Sequence, residues 1–211
     1  MSLKIAILPV TPFQQNCTLL WDDETREGSV VDAGGDPDQI LAAIAKAGFK
    51  LTGIYLTHGH LDHAGGAAAV SEATGVSITG PDQRDEFLLN EIEDSAKKYG
   101  LSGLRNCTPS AWLKHGDVVK LGGADFEVRH IPGHTPGHVV YLNHAHKFGI
   151  MGDVLFHGSI GRTDFGNYGN HEQLISGIRS QLLTLPDDFG FTCGHGPGST
   201  IGNERRSNPF L

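Results

Sequence analysis

The chain has 211 residues and a formal net charge of −8, from 16 lysines and arginines against 24 aspartates and glutamates. This length predicts one domain, or two at most, with a core of its own. The acidic balance argues against a nucleic-acid-binding protein, because such proteins present a basic face to the phosphate backbone. Two residue types are unusually frequent, with 29 glycines and 12 histidines.

The sequence shows no targeting or membrane pattern. No basic segment followed by a long apolar one stands at the beginning, as a signal peptide requires, and no apolar run approaches the roughly 20 residues of a membrane span. The three cysteines are far apart and favour buried free thiols over a disulfide framework or a zinc knuckle; they are Cys17, Cys107 and Cys193. We therefore expect a cytoplasmic protein that binds neither membranes nor nucleic acid.

Short apolar runs separated by glycine, proline and aspartate recur along the chain. Their length and their β-branched content predict strands. The predicted strands are 3–10, 17–21, 29–33, 51–57, 118–121, 126–131, 138–142, 147–151 and 189–193.

Helical patterns lie between these runs. A first helix is predicted to begin at Asp36, as a cap before a first-turn proline, and to end at Gly48. Further helices are predicted at about 65–74 and at 171–185, and the charged segment 81–99 is predicted to form a helix or a broken pair of helices. Strands interspersed with helices indicate a layered α/β architecture, with sheets inside and helices outside.

The strongest chemical signal is the segment 57–63, Thr-His-Gly-His-Leu-Asp-His, at the end of a predicted buried strand. His58 and His60 alternate along an extended segment, so their side chains can reach one metal ion together. Asp62 and His63 follow where the chain turns into a helix, and they therefore suit a second ion. The alternative is a polar turn in which Asp62 caps the helix and the histidines are exposed. Three histidines and an aspartate at this spacing favour metal ligation.

Three further candidates, His134, Asp153 and His195, also follow strand-like runs. Each is preceded by a glycine, whose lack of a Cβ atom allows the backbone to approach a metal closely. Together with the 57–63 segment they supply five histidines and two aspartates. This donor set suits two divalent ions, with zinc, iron and manganese all acceptable.

The order of these seven residues resembles that of the metallo-β-lactamase fold superfamily, and the resemblance covers nearly the whole chain. It implies an α/β (α+β) fold, a four-layer αββα sandwich, with two divalent metal ions at one edge between the sheets. It also implies a ligand set for each ion. The first ion would be held by His58, His60 and His134, the second by Asp62, His63 and His195, and both by a bridging Asp153.

Within this superfamily the chain resembles the glyoxalase II branch. True metallo-β-lactamases are secreted and lack a bridging aspartate, and RNA-processing members carry large additional domains. The segments 133–138, 158–165 and 203–211 resemble glyoxalase II and its short bacterial relatives. Those relatives lack the C-terminal helical domain that helps bind glutathione, so we expect a single domain over residues 1–211.

The resemblance predicts hydrolysis of a small-molecule thioester, S-D-lactoylglutathione, to D-lactate and glutathione. Two alternatives stay open: an iron-dependent persulfide dioxygenase on the same fold, which shares the string Gly-Arg-Thr-Asp, and a non-catalytic metal-binding protein. The hydrolase hypothesis makes Asp62 the catalytic residue that orients the nucleophile, and zinc the expected metal. Arg162 is a candidate for binding a substrate carboxylate, with an ion pair to Asp164 as the equally compatible alternative. His138 is expected to pack behind the ligands.

Overall fold

The computed structural model of the protein describes residues 2–211. The first half of the chain forms a mixed five-stranded sheet, in which the first two strand pairings are antiparallel and the last two are parallel. Its strands, in spatial order, are β1 (Leu3–Val10), β2 (Gln15–Asp22), β3 (Glu27–Val31), β4 (Lys50–Tyr55) and β5 (Ile78–Thr79). The helices of this half are α1 (Pro37–Ala47), α2 (Leu61–Ala64) and α3 (Ala67–Thr74).

A helical segment connects the two halves. It consists of a 3₁₀ turn (Gln83–Asp85), α4 (Glu86–Leu89) and α5 (Ile92–Lys98). The second half then forms β6 (Val118–Leu121), β7 (Ala124–His130), β8 (Val139–Asn143), β9 (Phe148–Ile150), the hairpin β10 (Leu155–Phe156) and β11 (Ser159–Ile160), α6 (His171–Gly177), β12 (Gly190–Thr192), β13 (Ser199–Thr200) and α7 (Ile201–Ser207). Its six-stranded sheet has the order β13-β12-β9-β8-β7-β6.

Three apolar clusters show how the layers are stacked. One packs α1 and α3 against the first sheet, and another packs α6 against the second sheet. The third lies between the sheets, where Leu20 and Val31 of the first meet Phe126 and Tyr141 of the second. All five residues of β8 are buried, because this strand is covered on both faces. The predicted four-layer sandwich is confirmed.

Two hydrogen bonds join the sheets at the end where the histidine segment begins. The Tyr141 hydroxyl on β8 donates to the Leu56 carbonyl (2.6 Å), and the Val139 N–H donates to the Thr57 carbonyl (2.8 Å). Because Leu56 and Thr57 directly precede His58, these bonds place the histidine segment against the second half of the chain.

The element predictions are confirmed in outline. Every predicted strand overlaps an observed one, and segment 81–99 is the broken form of the two alternatives. Asp36 and Gly48 stand at the two caps of α1 as predicted, but the Asp36 side chain makes no capping hydrogen bond. Its carboxylate instead accepts a hydrogen bond from the Thr11 N–H (2.8 Å). Within residues 2–211, no helix has both the length and the apolar character needed to cross a membrane.

Candidate metal centre

The seven predicted ligand residues come together at one edge of the sandwich, each just beyond a strand or in the short α2 helix. Their donor atoms form three overlapping groups, and within each group all atoms lie within 4.8 Å of one another. The groups are His58, His60 and His134; His58, His63 and Asp153; and Asp62, His63 and His195. The structure therefore brings all seven into one cluster.

Three imidazoles form the first part of the cluster. His58 Nε2 lies 3.1 Å from His60 Nδ1, and His134 Nε2 lies 3.0 Å from the same atom. Ligands at a tetrahedral zinc ion, with Zn–N distances of about 2.0–2.1 Å, have nitrogens roughly 3.3 Å apart. The three nitrogens are thus spaced as ligands of one ion.

The second part contains carboxylates as well as imidazoles. Asp62 Oδ2 lies 3.2 Å from His195 Nε2 and 3.8 Å from His63 Nε2. His63 Nε2 and Asp153 Oδ1 are buried 3.3 Å apart, yet neither has a hydrogen-bond partner among the described residues. Buried polar atoms are normally paired, so these two unpaired atoms fit a site for a metal ion.

Asp153 lies between the two parts of the cluster. Its Oδ2 is 3.5 Å from His134 Nε2 and 3.7 Å from His195 Nε2. Gly194 packs so closely that a Cβ atom there would lie 1.9 Å from Asp153 Oδ1. Only glycine fits at this position, which explains one of the glycines that precede the ligand residues.

The electrostatics favour the protonation states that bind metal at His58, His60 and Asp153, but not at His63 and His195. Burial lowers the pKa of the His58 imidazole well below its usual value, and it lowers that of His60 to about 3. Burial alone would raise the pKa of Asp153, but the surrounding imidazoles, above all His63, lower it.

Burial would lower the pKa of His63, but Asp153 and Asp62 raise it well above its usual value. Burial would likewise lower the pKa of His195, but Asp62 foremost raises it. Because neutral imidazoles and ionised carboxylates coordinate divalent ions, a metal ion bound at these two histidines would displace a proton, and the donor set as a whole fits a binuclear metal site.

Asp32, which the sequence analysis did not single out, supports this cluster from behind. Its Oδ1 accepts the Thr57 N–H (2.7 Å) and its Oδ2 accepts the Thr57 hydroxyl (2.7 Å). The same Oδ2 lies 2.9 Å from His63 Nδ1, which leaves His63 Nε2 directed at the cluster. Asp32 directly follows β3, so the strand-end criterion that identified His58 could have identified Asp32 as well.

Two further side chains contact the ligand residues. His138 Nε2 accepts the Asp153 N–H (3.0 Å), and its ring stacks on His58 with centroids 4.5 Å apart, so it packs behind the ligands as expected. The Tyr168 hydroxyl lies 3.1 Å from His60 Nε2. Tyr168 belongs to the loop between β11 and α6, and no sequence pattern pointed to it.

A groove of about 640 Å³ opens beside the cluster, with His60, Asp62 and Asp153 among its lining residues. Aromatic rings form two of its walls. Phe13 and Tyr99 make an edge-to-face pair (5.6 Å), whereas Phe165 and Tyr168 are stacked (5.6 Å, 12°). The groove is therefore suited to a small molecule with both apolar and polar parts.

Arg162 lies at the rim of this groove. Its Nε donates to Asp164 Oδ1 (3.0 Å) and its Nη2 to Asp164 Oδ2 (3.1 Å), while the guanidinium sits 5.0 Å above the Phe165 ring. The ion pair with Asp164 is thus present. Arg162 also lies where it can reach a ligand in the groove.

The fold and the His/Asp cluster together define a metalloprotein of the metallo-β-lactamase type. Residues 10–195 match the family model of the Metallo-beta-lactamase superfamily, and the chain belongs to that superfamily. It is 45% identical over 210 residues to hydroxyacylglutathione hydrolase GloC of Haemophilus influenzae, which covers 99% of this chain and 98% of the relative. The resemblance to glyoxalase II is confirmed at the level of the family.

Two solved structures are similar over nearly the whole chain. The structure of the BLEG-1 B3 metallo-beta-lactamase superimposes with a TM-score of 0.89 at 32% identity and covers 99% of both chains. The structure of TTHA1623 in a di-iron-bound form superimposes with a TM-score of 0.87 at 33% identity, covering 98% of this chain and 100% of that one.

Proposed function

We propose that this chain is a metal-dependent thioester hydrolase that cleaves S-D-lactoylglutathione to D-lactate and glutathione. The observation that carries the proposal is the full-length 45% identity to a hydroxyacylglutathione hydrolase. It is supported by the His/Asp cluster at the floor of a groove of about 640 Å³. Identity to the BLEG-1 lactamase is lower, at 32%, so a thioester is favoured over a β-lactam.

The ligand assignment is part of this proposal. His58, His60 and His134 would hold the first ion, Asp62, His63 and His195 would hold the second, and Asp153 would be shared by both. We propose zinc as the native metal, with iron or manganese as the alternatives that the same donor set accepts; the di-iron form of TTHA1623 supports iron among these. When bound, such ions lower the pKa of water from 15.7 to about 7 and polarise a carbonyl group.

Asp62 is the proposed catalytic residue. Burial would raise the pKa of its carboxyl, but the neighbouring His63 and His195 imidazoles lower it, so the group is ionised at neutral pH. Asp62 lines the groove and can accept a hydrogen bond from the attacking water. It thereby orients a water lone pair towards the thioester carbon.

The rest of the reaction needs little from the protein. The water oxygen bonds to the thioester carbon, the carbon–sulfur bond breaks, and the sulfur leaves as a thiolate. One proton of the water ends on this thiolate to give glutathione, and the other is released to solvent as the new acid ionises to lactate. Because a thiol has a pKa of about 8–9, this leaving group needs no strong general acid. Arg162 is proposed to bind a carboxylate of the glutathione portion. It would give up part of its exposed ion pair with Asp164 to do so.

A paired assay tests the proposal. Metal content is measured first, followed by thiol release from S-D-lactoylglutathione and by oxygen uptake with glutathione persulfide. Thiol release without oxygen uptake is expected. Oxygen uptake without thioester cleavage would establish the persulfide dioxygenase instead, and neither activity in fully metallated protein would leave a non-catalytic metal-binding protein.

The role of Asp62 is tested by Asp62→Ala. We expect turnover to fall by at least about 100-fold, because both an orienting group and a ligand are lost, and the second equivalent of metal to be lost with it. Asp188→Ala, which removes an exposed carboxylate paired with Lys147, is the matched control and should behave like the parent. Full turnover in the Asp62 variant would refute its assigned role.

A further inference from the structure

A buried carboxylate lies behind the first three histidines, on a segment that belongs to neither sheet. Asp85 is the last residue of the 3₁₀ turn between the two halves and is fully buried. It accepts three hydrogen bonds. Its Oδ2 accepts the Gly59 N–H (2.9 Å) and the Thr135 hydroxyl (2.7 Å), and its Oδ1 accepts the Gly137 N–H (2.6 Å).

The three donors belong to the two loops that supply the first ion's ligands. Gly59 stands between His58 and His60, in the loop that follows β4. Thr135 directly follows His134, and Gly137 lies two residues further along the loop between β7 and β8. Asp85 is therefore a common acceptor for a loop of the first sheet and a loop of the second.

The packing around Asp85 is too close for larger residues at two of these positions. A Cβ atom on Gly59 would lie 3.2 Å from Asp85 Cβ, and one on Gly137 would lie 2.7 Å from the Asp85 nitrogen. Both glycines thus allow the backbone of each loop to come within hydrogen-bond distance of the carboxylate.

No cation of the described residues balances this carboxylate. Among residues 2–211, no lysine, arginine or histidine forms an ion pair with Asp85. Burial raises its pKa to about 6, against the lowering effect of the hydrogen bonds from Thr135, Gly59 and Gly137. At neutral pH the three hydrogen-bond donors stabilise the buried carboxylate. Burying its charge costs folding free energy that a neutral side chain of similar size would not cost.

We infer that Asp85 is a positioning residue for the first metal ion: by accepting from both loops, it sets the separation between the His58–His60 pair and His134. The inference rests on the proposed assignment of these three histidines to one ion. A carboxylate suits this position because all three partners are donors. An asparagine there would direct its NH₂ group at the N–H of Gly59 or of Gly137. Two donors would then face each other, and that hydrogen bond would be lost.

The test is Asp85→Asn, made in the Asp62→Ala background so that only the first ion is bound. Cobalt(II) is titrated in competition with a chelator and followed by its visible absorption spectrum. We expect cobalt to bind about 10–100-fold more weakly than in Asp62→Ala alone, with an altered spectrum because the angles between the ligands change. The matched control is Asp82→Asn. The Asp82 carboxylate accepts the Arg84 N–H in the same turn (3.0 Å). Within residues 2–211 its side chain makes no hydrogen bond to either histidine loop, so cobalt should bind as in the background.

The outcomes separate this inference from the proposed function. Parent protein that binds no metal would refute the ligand assignment itself. Parent protein that binds two ions, together with an Asp85→Asn variant of unchanged cobalt affinity and spectrum, would refute the role of Asp85 alone. Equal weakening by Asp82→Asn and Asp85→Asn would also refute it, because stability of the turn would then be the cause.

A second variant covers the case in which Asp85→Asn does not fold. Thr135→Val removes one donor and keeps the shape of the side chain, so cobalt binding should weaken by a smaller factor, about 3–10-fold. Where Asp85→Asn does fold, it is combined with Thr135→Val. The double variant should lose less cobalt affinity than the product of the two single losses, because both substitutions disrupt the same hydrogen bond. Unchanged cobalt affinity in Thr135→Val, or fully multiplicative losses, would contradict the inference.

Discussion

At the scale of single residues, each candidate ligand histidine has one ring nitrogen that faces the metal site and an outer one that faces away. The hydrogen bond of the outer nitrogen fixes which nitrogen faces the site. In the described residues this outer nitrogen always lies near an oxygen atom. The partners are Thr57 Oγ1 for His58 (3.0 Å), Tyr168 Oη for His60 (3.1 Å), Asp32 Oδ2 for His63 (2.9 Å), the Arg162 carbonyl for His134 (2.8 Å) and the Phe13 carbonyl for His195 (3.1 Å). Only His60 turns its Nδ1 towards the cluster.

Tyr168 can therefore be tested for its effect on His60. The Tyr168→Phe substitution removes the hydroxyl but keeps the ring that stacks on Phe165. We expect metal to bind about tenfold more weakly, because the His60 Nε2–H loses its acceptor. KM for the thioester should change little, because the aromatic wall of the groove remains. Chelator competition and steady-state kinetics measure the two effects separately.

Tyr99→Phe is the control, since Tyr99 also lines the groove and its hydroxyl has no hydrogen bond to any residue in 2–211 that would be lost. It should bind metal and turn over as the parent does. If both tyrosine variants match the parent in metal affinity, the Tyr168–His60 contact does not position the ligand.

The ligand candidates were predictable from the sequence, whereas most of the residues around them were not. His58, His134 and His195 each follow a recognisable strand, so their common position at one sheet edge could be inferred. Asp85 lies in the predicted helical segment 81–99 and Tyr168 in a loop, and both reach the site only through tertiary packing. Sequence pattern contains no information on such contacts before the fold is known.

At the scale of secondary-structure elements, the C-terminal helix α7 is an example of an element that the sequence analysis missed. It has only seven residues (Ile201–Ser207), which is too short for a clear helical period. Thr200 caps it by accepting the Asn203 N–H. Its Glu204 is fully buried and accepts hydrogen bonds from Ser199, Asn203, Gly158 and Asn208. The helix is thus stabilised by contacts with β13 and with the turn between β10 and β11.

Glu204→Gln should destabilise the metal-free protein at neutral pH by about 1–3 kcal/mol, because an amide group then faces hydrogen-bond donors. Burial would raise the pKa of Glu204, but its hydrogen bonds, with Ser199 foremost, lower it. A lowered folded-state pKa gives stability that is fully present above the unfolded pKa of about 4.3 and is lost as the pH falls through the folded value. The difference between parent and variant should therefore shrink below about pH 4.

Urea unfolding in the presence of a chelator, at pH 7 and at about pH 3, measures this difference. Glu172→Gln replaces an exposed glutamate in the first turn of α6, and it should change the free energy of unfolding by less than about 0.5 kcal/mol at either pH. A Glu204 variant whose deficit is the same at both pH values would show that charge plays no part in the effect.

At the scale of the whole molecule, the candidate metal centre lies where the two halves of the sandwich meet. His58, His60, Asp62 and His63 follow the first sheet, whereas His134, Asp153 and His195 follow strands of the second. The layered fold could be predicted from alternating strands and helices. The pairing of strands across each half could not, because strand order depends on contacts between residues far apart in the sequence.

This placement predicts that metal binding stabilises both halves together. The unfolded chain has no preformed site, so the free energy of metal binding adds to the free energy of unfolding. At a free metal concentration of about 1,000 times Kd this amounts to about 4 kcal/mol, or a rise in Tm of roughly 8–16 °C for a protein of this size. Differential scanning calorimetry of the metal-loaded and chelator-treated protein measures the shift. The Asp62→Ala variant, which binds one ion, should show a smaller shift in Tm.

If the metals instead bound to one half only, the loaded protein would unfold in two steps, and only the half that binds metal would unfold at a higher temperature. A single transition that moves as a whole is expected, because ligands from both halves must separate for either ion to be lost.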